Sequence, residues 1–284
     1  MIRKSIATTV VLCVVYSVVA YINLDVSVRP LNQRQGNLVR CQEYVFRDSA
    51  KADYVITGSS MAYRLRREFL PAGYYNLALG GHSSLIGLEF VNRSPNLPKV
   101  VFVEMNTTLR SPNTSFVDEI FQRPGYDMKK HVVITRDKFQ FFPFLVNKAN
   151  QFLAKKDDSE NETKIDEANL QKRVDLQKKI FSKLPSKERS KECFDRLRDL
   201  VNALEEKNVR IVFFEMPMHP ELQDSEFIKT IRARFAELFP MNKYQYIIPG
   251  STEKFITTDG VHLVESSAKE MAEFLVTEFE KYSR

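Results

Sequence analysis

The chain has 284 residues with a formal charge of +6, and it is 43% apolar and 27% charged. That balance suits a folded protein with a sizeable core and excludes a disordered or low-complexity chain. Lys and Arg are mixed with Glu and Asp along the sequence, so the positive balance marks no nucleic-acid surface and leaves only a mild attraction to anionic lipid or glycan.

The N-terminus reads as a membrane element. Ser5 to Ile22 hold no charged residue and follow Arg3 and Lys4. These 18 residues are many for a cleavable apolar region and close to the ~20 that cross a hydrocarbon layer. Residues 1–24 are therefore expected to be a retained anchor, with a signal peptide as a second reading because Val18-Val19-Ala20 is a tolerable cleavage site, and a buried helix of the globular domain as a third, against which the basic flank and the lack of a polar stripe argue. With Arg3 and Lys4 on the cytoplasmic side, the remainder lies in a periplasm or at a surface, or is secreted if the segment is cleaved. Residues 25–52 show little periodicity and read as a connector, with a turn of structure expected between Cys41 and Ser49.

From Asp53 onward a clearer pattern begins. Asp53–Gly58, Tyr74–Leu79, Lys99–Met105, Val209–Pro217 and Tyr244–Pro249 are short apolar runs, each closed by a turn signal or a polar residue. Near-continuous apolarity in runs this short suits parallel strands covered on both faces. Phe194, Leu197, Leu200, Val201 and Leu204 recur at helical spacing before the fourth run, as do Ala268, Met271, Leu275, Phe279 and Tyr282 at the end of the chain. Alternating strands and helices imply an α/β fold: a three-layer α/β/α sandwich around a parallel, flavodoxin-like sheet of about five strands, preceded by one transmembrane helix. An insertion at about 107–189 interrupts the alternation, and its polar stretch Lys155 to Leu184 is expected to carry a solvated helix, with a lid or partner-docking element as the sharper reading.

Of the three cysteines, Cys13 lies in the apolar segment behind Leu12, which argues against a lipid-modified cysteine. Cys41 and Cys193 remain as the pair that a disulfide would join in an oxidising compartment. No Cys/His spacing suggests zinc.

Sites in parallel sheets sit at the carboxyl ends of strands. Ser60 follows the first strand in Gly58-Ser59-Ser60 and is expected to stand at a helix N-terminus, where backbone N–H groups favour developing negative charge. The same turn is equally an ordinary capped helix start, because Ser is a preferred N-cap. Asp259 and His262, three residues apart before the last helix, supply the acid and imidazole that a serine nucleophile requires; Asp-Gly is also a plain turn signal. Gly81 follows the second strand and Asn106 the third, each able to offer an N–H to an oxyanion. His82 and His219 follow the second and fourth strands, where they either line the mouth of the site or serve as surface or structural residues.

The ordered blocks Gly58-Ser59-Ser60, Asn76 through Gly81, Glu104 through Asn106 and Asp259 through His262 resemble those of the SGNH hydrolases, the GDSL esterase/lipase superfamily. The resemblance runs from about residue 53 to residue 284. It implies Ser60 as nucleophile, His262 as base, Asp259 as acid, and an oxyanion hole from the Ser60 backbone, Gly81 and Asn106, with no metal or organic cofactor. The family usually has Asp where Ser59 stands, and Gly then Asn-Asp where this chain has Glu104, Asn106 and Thr107. Together with the apolar N-terminus, the chain looks similar to the membrane-anchored branch that acts in alginate O-acetylation and teichoic-acid D-alanylation. That likeness implies an acylated glycan or envelope polymer as substrate and a membrane-bound O-acyltransferase as partner. Two other readings stay open: a lipolytic esterase, and a non-catalytic assembly partner docking through the charged insertion.

Overall fold

Five short strands form one sheet: β1 Tyr54–Thr57, β2 Tyr74–Asn76, β3 Val100–Glu104, β4 Arg210–Phe214 and β5 Gln245–Ile247, in the order β2-β1-β3-β4-β5. Every pairing is parallel, with Ile56 beside Phe102 and Val103 beside Phe213. All five fall within the runs predicted from apolarity, and the order is the flavodoxin-like one, which places a topological switch point between β1 and β3.

The computed structural model describes residues 2–22, 30, 32–46, 52–110, 114–140 and 167–282. They fall into two units, Met1–Arg47 with Asp118–Ser159, and Asp48–Val117 with Glu160–Arg284. The second unit holds the whole sheet.

Alternation along the strands sends Thr57, Val103 and Phe213 to one face and Tyr54, Ile56 and Phe102 to the other. The first face receives the helices Ser84–Arg93, Lys187–Glu205 and Glu226–Leu238. Phe235 of the last of these sits 5.1 Å from Phe213 and 5.6 Å from Phe194, ring centre to ring centre. Gly87 lets the first helix approach, because a Cβ there would fall 2.8 Å from Thr57 Cβ. The second face is covered by the terminal helix Glu265–Lys281, whose Phe279 ring meets Phe102 at 5.0 Å and Tyr54 at 5.6 Å. These are the three layers expected from the alternation of strands and helices. Between β1 and β2 the chain makes only the 3₁₀ turns Ala62–Arg64 and Arg67–Phe69. The helix expected to start at Ser60 is thus a single tight turn.

In the first unit the helix Ile2–Ile22 is the one element among the described residues long and apolar enough to cross a membrane. Its 21 residues extend about 32 Å at the usual rise, against roughly 30 Å of hydrocarbon. Its Tyr16 hydroxyl donates to the Phe139 carbonyl at 2.6 Å, and Ala20 is buried with Phe139 beside Val133 and Ile134. The stretch read as a connector contains a 13-residue helix, Gln33–Val45, capped by Asn32, whose side-chain oxygen accepts from the Gln35 N–H. Much of its buried face is polar: the Gln42 amide exchanges hydrogen bonds with Asp137, which also pairs with Lys129 at 2.5 Å.

Cys13, Cys41 and Cys193 are free thiols, so the bridge considered from composition is not formed. Cys41 is buried in the first unit and Cys193 in the second, each on the buried side of its own helix. Within the insertion, residues 155–166 of the expected solvated stretch lie outside the described residues. Glu167–Phe181 is a helix that buries only Val174 and Phe181 and leaves Leu176 and Ile180 exposed.

Candidate active site

At the carboxyl end of β1 the chain turns sharply through Gly58, Ser59 and Ser60. A Cβ on Gly58 would lie 2.5 Å from Glu104 Oε2 and 2.7 Å from Ala62 Cβ, so only glycine lets the turn close. Ser59 is fully buried and Ser60 is partly exposed.

The Ser60 hydroxyl lies 2.8 Å from His262 Nε2, and His262 Nδ1 lies 2.7 Å from Asp259 Oδ2. Asp259 therefore takes the Nδ1–H, and Nε2 is left as the acceptor for the Ser60 proton. The other Asp259 oxygen accepts the backbone N–H groups of His262 at 2.8 Å and Val261 at 3.1 Å. One carboxylate thus folds its own loop and orients the ring. Burial works to raise the Asp259 pKa, but the hydrogen bonds from His262, side chain and backbone, and from the Val261 N–H outweigh it and hold the carboxyl below its ordinary value.

This loop is braced from several sides. Thr257 pairs with Leu263 as an antiparallel bridge, and the Thr258 N–H donates to the His262 carbonyl at 2.8 Å. Gly260, at φ +93°, is packed so closely that an added Cβ would meet Leu222 Cδ1 at 3.1 Å and Val174 Cγ2 at 3.2 Å. Its carbonyl accepts the His219 N–H at 2.8 Å, and Arg173 donates to the Thr258 carbonyl at 3.3 Å. Val174 and Arg173 belong to the insertion helix Glu167–Phe181. A helix that composition marks as solvated therefore packs on the Asp-x-x-His loop.

The backbone N–H groups of Ser60 and Gly81 have no acceptor among the described residues. Gly81 needs its flexibility, since its φ is +78°. Asn106 is buried, and its amide is largely committed: Nδ2 donates to the Met216 carbonyl at 3.0 Å and Oδ1 accepts the Met216 N–H at 2.8 Å. It ties the end of β3 to the end of β4, with one amide hydrogen left over. His82 stacks on Phe116 at 4.8 Å, and burial together with nearby Arg110 lowers its pKa. His219 caps the short helix Pro220–Gln223 through its ring Nδ1, which accepts the Glu221 N–H, and burial and then Lys178 lower its pKa. Both histidines have structural partners, and His219 reaches the site through its backbone.

Glu104 is a residue to which the sequence reading gave no role in the site. It ends β3 fully buried, and its carboxylate accepts the Ser59 N–H at 2.8 Å, the Ser59 hydroxyl at 2.8 Å, the Ala62 N–H at 3.2 Å and the Thr107 hydroxyl at 3.2 Å. The signal was a single charge closing an otherwise apolar strand. Among the described residues, no group of three or more His, Cys, Asp or Glu side chains is placed to hold a metal ion.

No protein-family model and no curated protein matches the chain. Among solved structures it is similar to a proposed acylhydrolase from Bacteroides fragilis, at 13% identity over 90% of this chain and 100% of that one, with a TM-score of 0.47. It is also similar to a GDSL-like lipase from Bacteroides thetaiotaomicron, at 12% identity over 87% of this chain and 98% of that one, with a TM-score of 0.45. A proposed platelet activating factor from Streptococcus pneumoniae matches at 11% identity over 87% of this chain and 92% of that one, with a TM-score of 0.44.

Proposed function

We propose that this protein is a serine acyl hydrolase that cleaves ester-linked acyl groups through an acyl-serine intermediate on Ser60. The observation that carries the reading is the continuous chain from Asp259 through His262 to Ser60, with contacts of 2.7 and 2.8 Å. A hydroxyl is a weak nucleophile until a base takes its proton, and an imidazole serves as base only while its other nitrogen is held.

In the proposed reaction Ser60 Oγ attacks the ester carbonyl carbon as its proton passes to His262 Nε2. The carbonyl oxygen becomes an oxyanion that the free N–H groups of Ser60 and Gly81, with the remaining amide hydrogen of Asn106, would stabilise. The tetrahedral intermediate collapses, the C–O bond to the alcohol breaks, and His262 returns the proton to the departing oxygen. Water then attacks the acyl-serine by the same route in reverse, releasing the acid and restoring Ser60.

The finer reading is a membrane-anchored enzyme acting outside the cytoplasm on O-acyl groups of a polysaccharide or similar envelope polymer. Retention of the anchor is supported by the contacts of Tyr16 and Ala20 with Phe139, which tie the C-terminal half of the apolar helix to the first unit. A glycan hydroxyl in place of water would turn hydrolysis into transfer, with a membrane-bound O-acyltransferase as the natural partner.

The test is labelling of the full chain in detergent by a fluorophosphonate, with the site read by peptide mass, alongside turnover of a nitrophenyl acetate and of acetylated glycans. The expected result is modification at Ser60 and loss of both labelling and turnover in Ser60→Ala. Turnover by Ser60→Ala at the unaltered rate, or label on another residue, overturns the reading.

A further inference from the structure

Glu104 does something that the triad does not explain. It lies at the end of a strand whose other four residues are all apolar and buried, and no Lys, Arg or His forms an ion pair with it among the described residues. A bare carboxylate in such a place is costly unless hydrogen bonds replace its water. Here four donors do so, and they come from a narrow stretch of chain: the N–H and hydroxyl of Ser59, the Ala62 N–H, and the Thr107 hydroxyl. The first three bracket Ser60. The Ser59 hydroxyl also accepts the Met61 N–H at 3.1 Å, so the flanking residues on both sides of Ser60 are tied directly or through one hydroxyl to the same carboxylate.

We propose that Glu104, as an ionised carboxylate, is the positioning residue for Ser60, holding the turn so that the Ser60 N–H stays free for an oxyanion and its Oγ stays on His262. The inference rests on the serine-hydrolase reading of the site. Two of the partners are backbone N–H groups that can only donate, both to Oε2, and a carboxylate accepts there and at its other oxygen without donating. Its bonds are charge-assisted, and such bonds are stronger than neutral ones. Gly58 supports the same arrangement, since a side chain there would collide with the Glu104 oxygen. Ser59 and Glu104 also share one buried volume, which makes a second carboxylate at position 59 incompatible with Glu104. The groups facing Glu104 from the turn and from the start of the next loop are hydroxyls and backbone amides without charge. Burial pushes its pKa up and these hydrogen bonds offset only part of that, so Glu104 takes up a proton at a higher pH than an ordinary glutamate.

Glu104→Gln keeps shape and removes charge, and Ser59→Asp adds a second carboxylate. Each is made in the full chain, with Ser59→Asp/Glu104→Gln as the paired variant and Ser60→Ala as the control. Three quantities are read: kcat and KM from pH 4.5 to 8, fluorophosphonate labelling rate, and amide hydrogen exchange at Ser59, Ala62 and Tyr63. Removing the charge behind all four contacts, and the acceptor at one oxygen, is expected to lower kcat and labelling about tenfold or more in Glu104→Gln, with KM within about twofold and faster exchange at Ser59 and Ala62. The fall in wild-type kcat on the acid side should lose the component that Glu104 contributes. Ser59→Asp should be weaker still, and the paired variant should recover activity above Ser59→Asp, which bulk alone would not produce. Wild-type kcat and unaltered exchange in Glu104→Gln overturn the proposal even if Ser60→Ala is inactive. If Ser60→Ala stays active while Glu104→Gln loosens the turn, the hydrolase reading fails and the structural role of Glu104 survives without its catalytic meaning. If a variant unfolds, exchange at the turn in Glu104→Asp, which keeps the charge on a shorter arm, decides between charge and packing: slow exchange supports the proposal and fast exchange overturns it.

Discussion

Gly260→Ala is the substitution that tests the loop carrying the acid and the base. The position has φ +93°, a region that costs a side chain roughly 1–2 kcal/mol. The new methyl would also sit 3.1 Å from Leu222 Cδ1 and 3.2 Å from Val174 Cγ2, both on fully buried residues. Packing that tight forces shifts of a few tenths of an ångström and adds roughly 1–3 kcal/mol, so unfolding in urea should lose about 2–5 kcal/mol in all. The shift falls between Asp259 and His262, and the Gly260 carbonyl is the acceptor for the His219 N–H. Turnover should therefore fall by up to roughly tenfold, since a full 1 Å displacement costs about a hundredfold and this shift is a fraction of that. Val174→Ala opens room for the methyl and leaves the backbone strain in place. The double variant should be more stable than the two separate losses predict, by about 1 kcal/mol, as contacting residues couple on this scale. Strict additivity in urea would refute the packing part of the argument, and a Gly260→Ala protein with unaltered stability and turnover would refute both parts.

Two further perturbations have signs fixed by the structure. Asp259→Asn keeps the loop shape but removes the acceptor of the His262 Nδ1–H, and turnover should drop about 10⁴-fold with the labelling site unchanged. The Asp259 carboxyl is held below its ordinary value, so it stabilises the fold above about pH 4 and that contribution is lost as pH falls through the lower folded value. The Asp259→Asn protein should consequently show a shallower decline in urea midpoint from pH 6 to pH 3 than the wild type. Arg232 donates to the buried Glu215 through Nε at 2.9 Å and Nη2 at 2.6 Å. Arg232→Met should cost about 3 kcal/mol by leaving that carboxylate without its cation, and Arg232→Met with Glu215→Met should recover most of the loss in urea.

The sheet was legible because burial on both faces leaves a direct trace in composition. Strand interiors are largely apolar where they are covered, and all five observed strands fall inside the apolar runs. The terminal helix was legible for a related reason, since one face of it, from Ala268 to Phe279, packs on the sheet. The helix Gln33–Val45 left no such trace. Gln35, Asn37 and Gln42 are on its buried side, and the Gln42 amide matches the Asp137 carboxylate and N–H. A helix that buries amides shows weak apolar periodicity and reads as a connector.

Ser59 shows where local reading stops and why. Half of its role is that of an ordinary turn serine, because its hydroxyl accepts the Met61 N–H two residues on. That is a contact within the turn, and turn chemistry is visible in a few consecutive residues. The other half is the donation to Glu104, which is 45 residues away. Nothing within the turn specifies that partner. The same distinction separates Glu104 as a strand-ending charge from Glu104 as a buried acceptor: the residue type is consistent with both, and only the neighbouring strand decides. β1 and β3 are adjacent in the sheet, with Thr57 beside Val103, so the residues that follow these two strands must meet. Once the order β2-β1-β3 is known, the carboxylate that ends one strand and the serine turn that follows the other are neighbours.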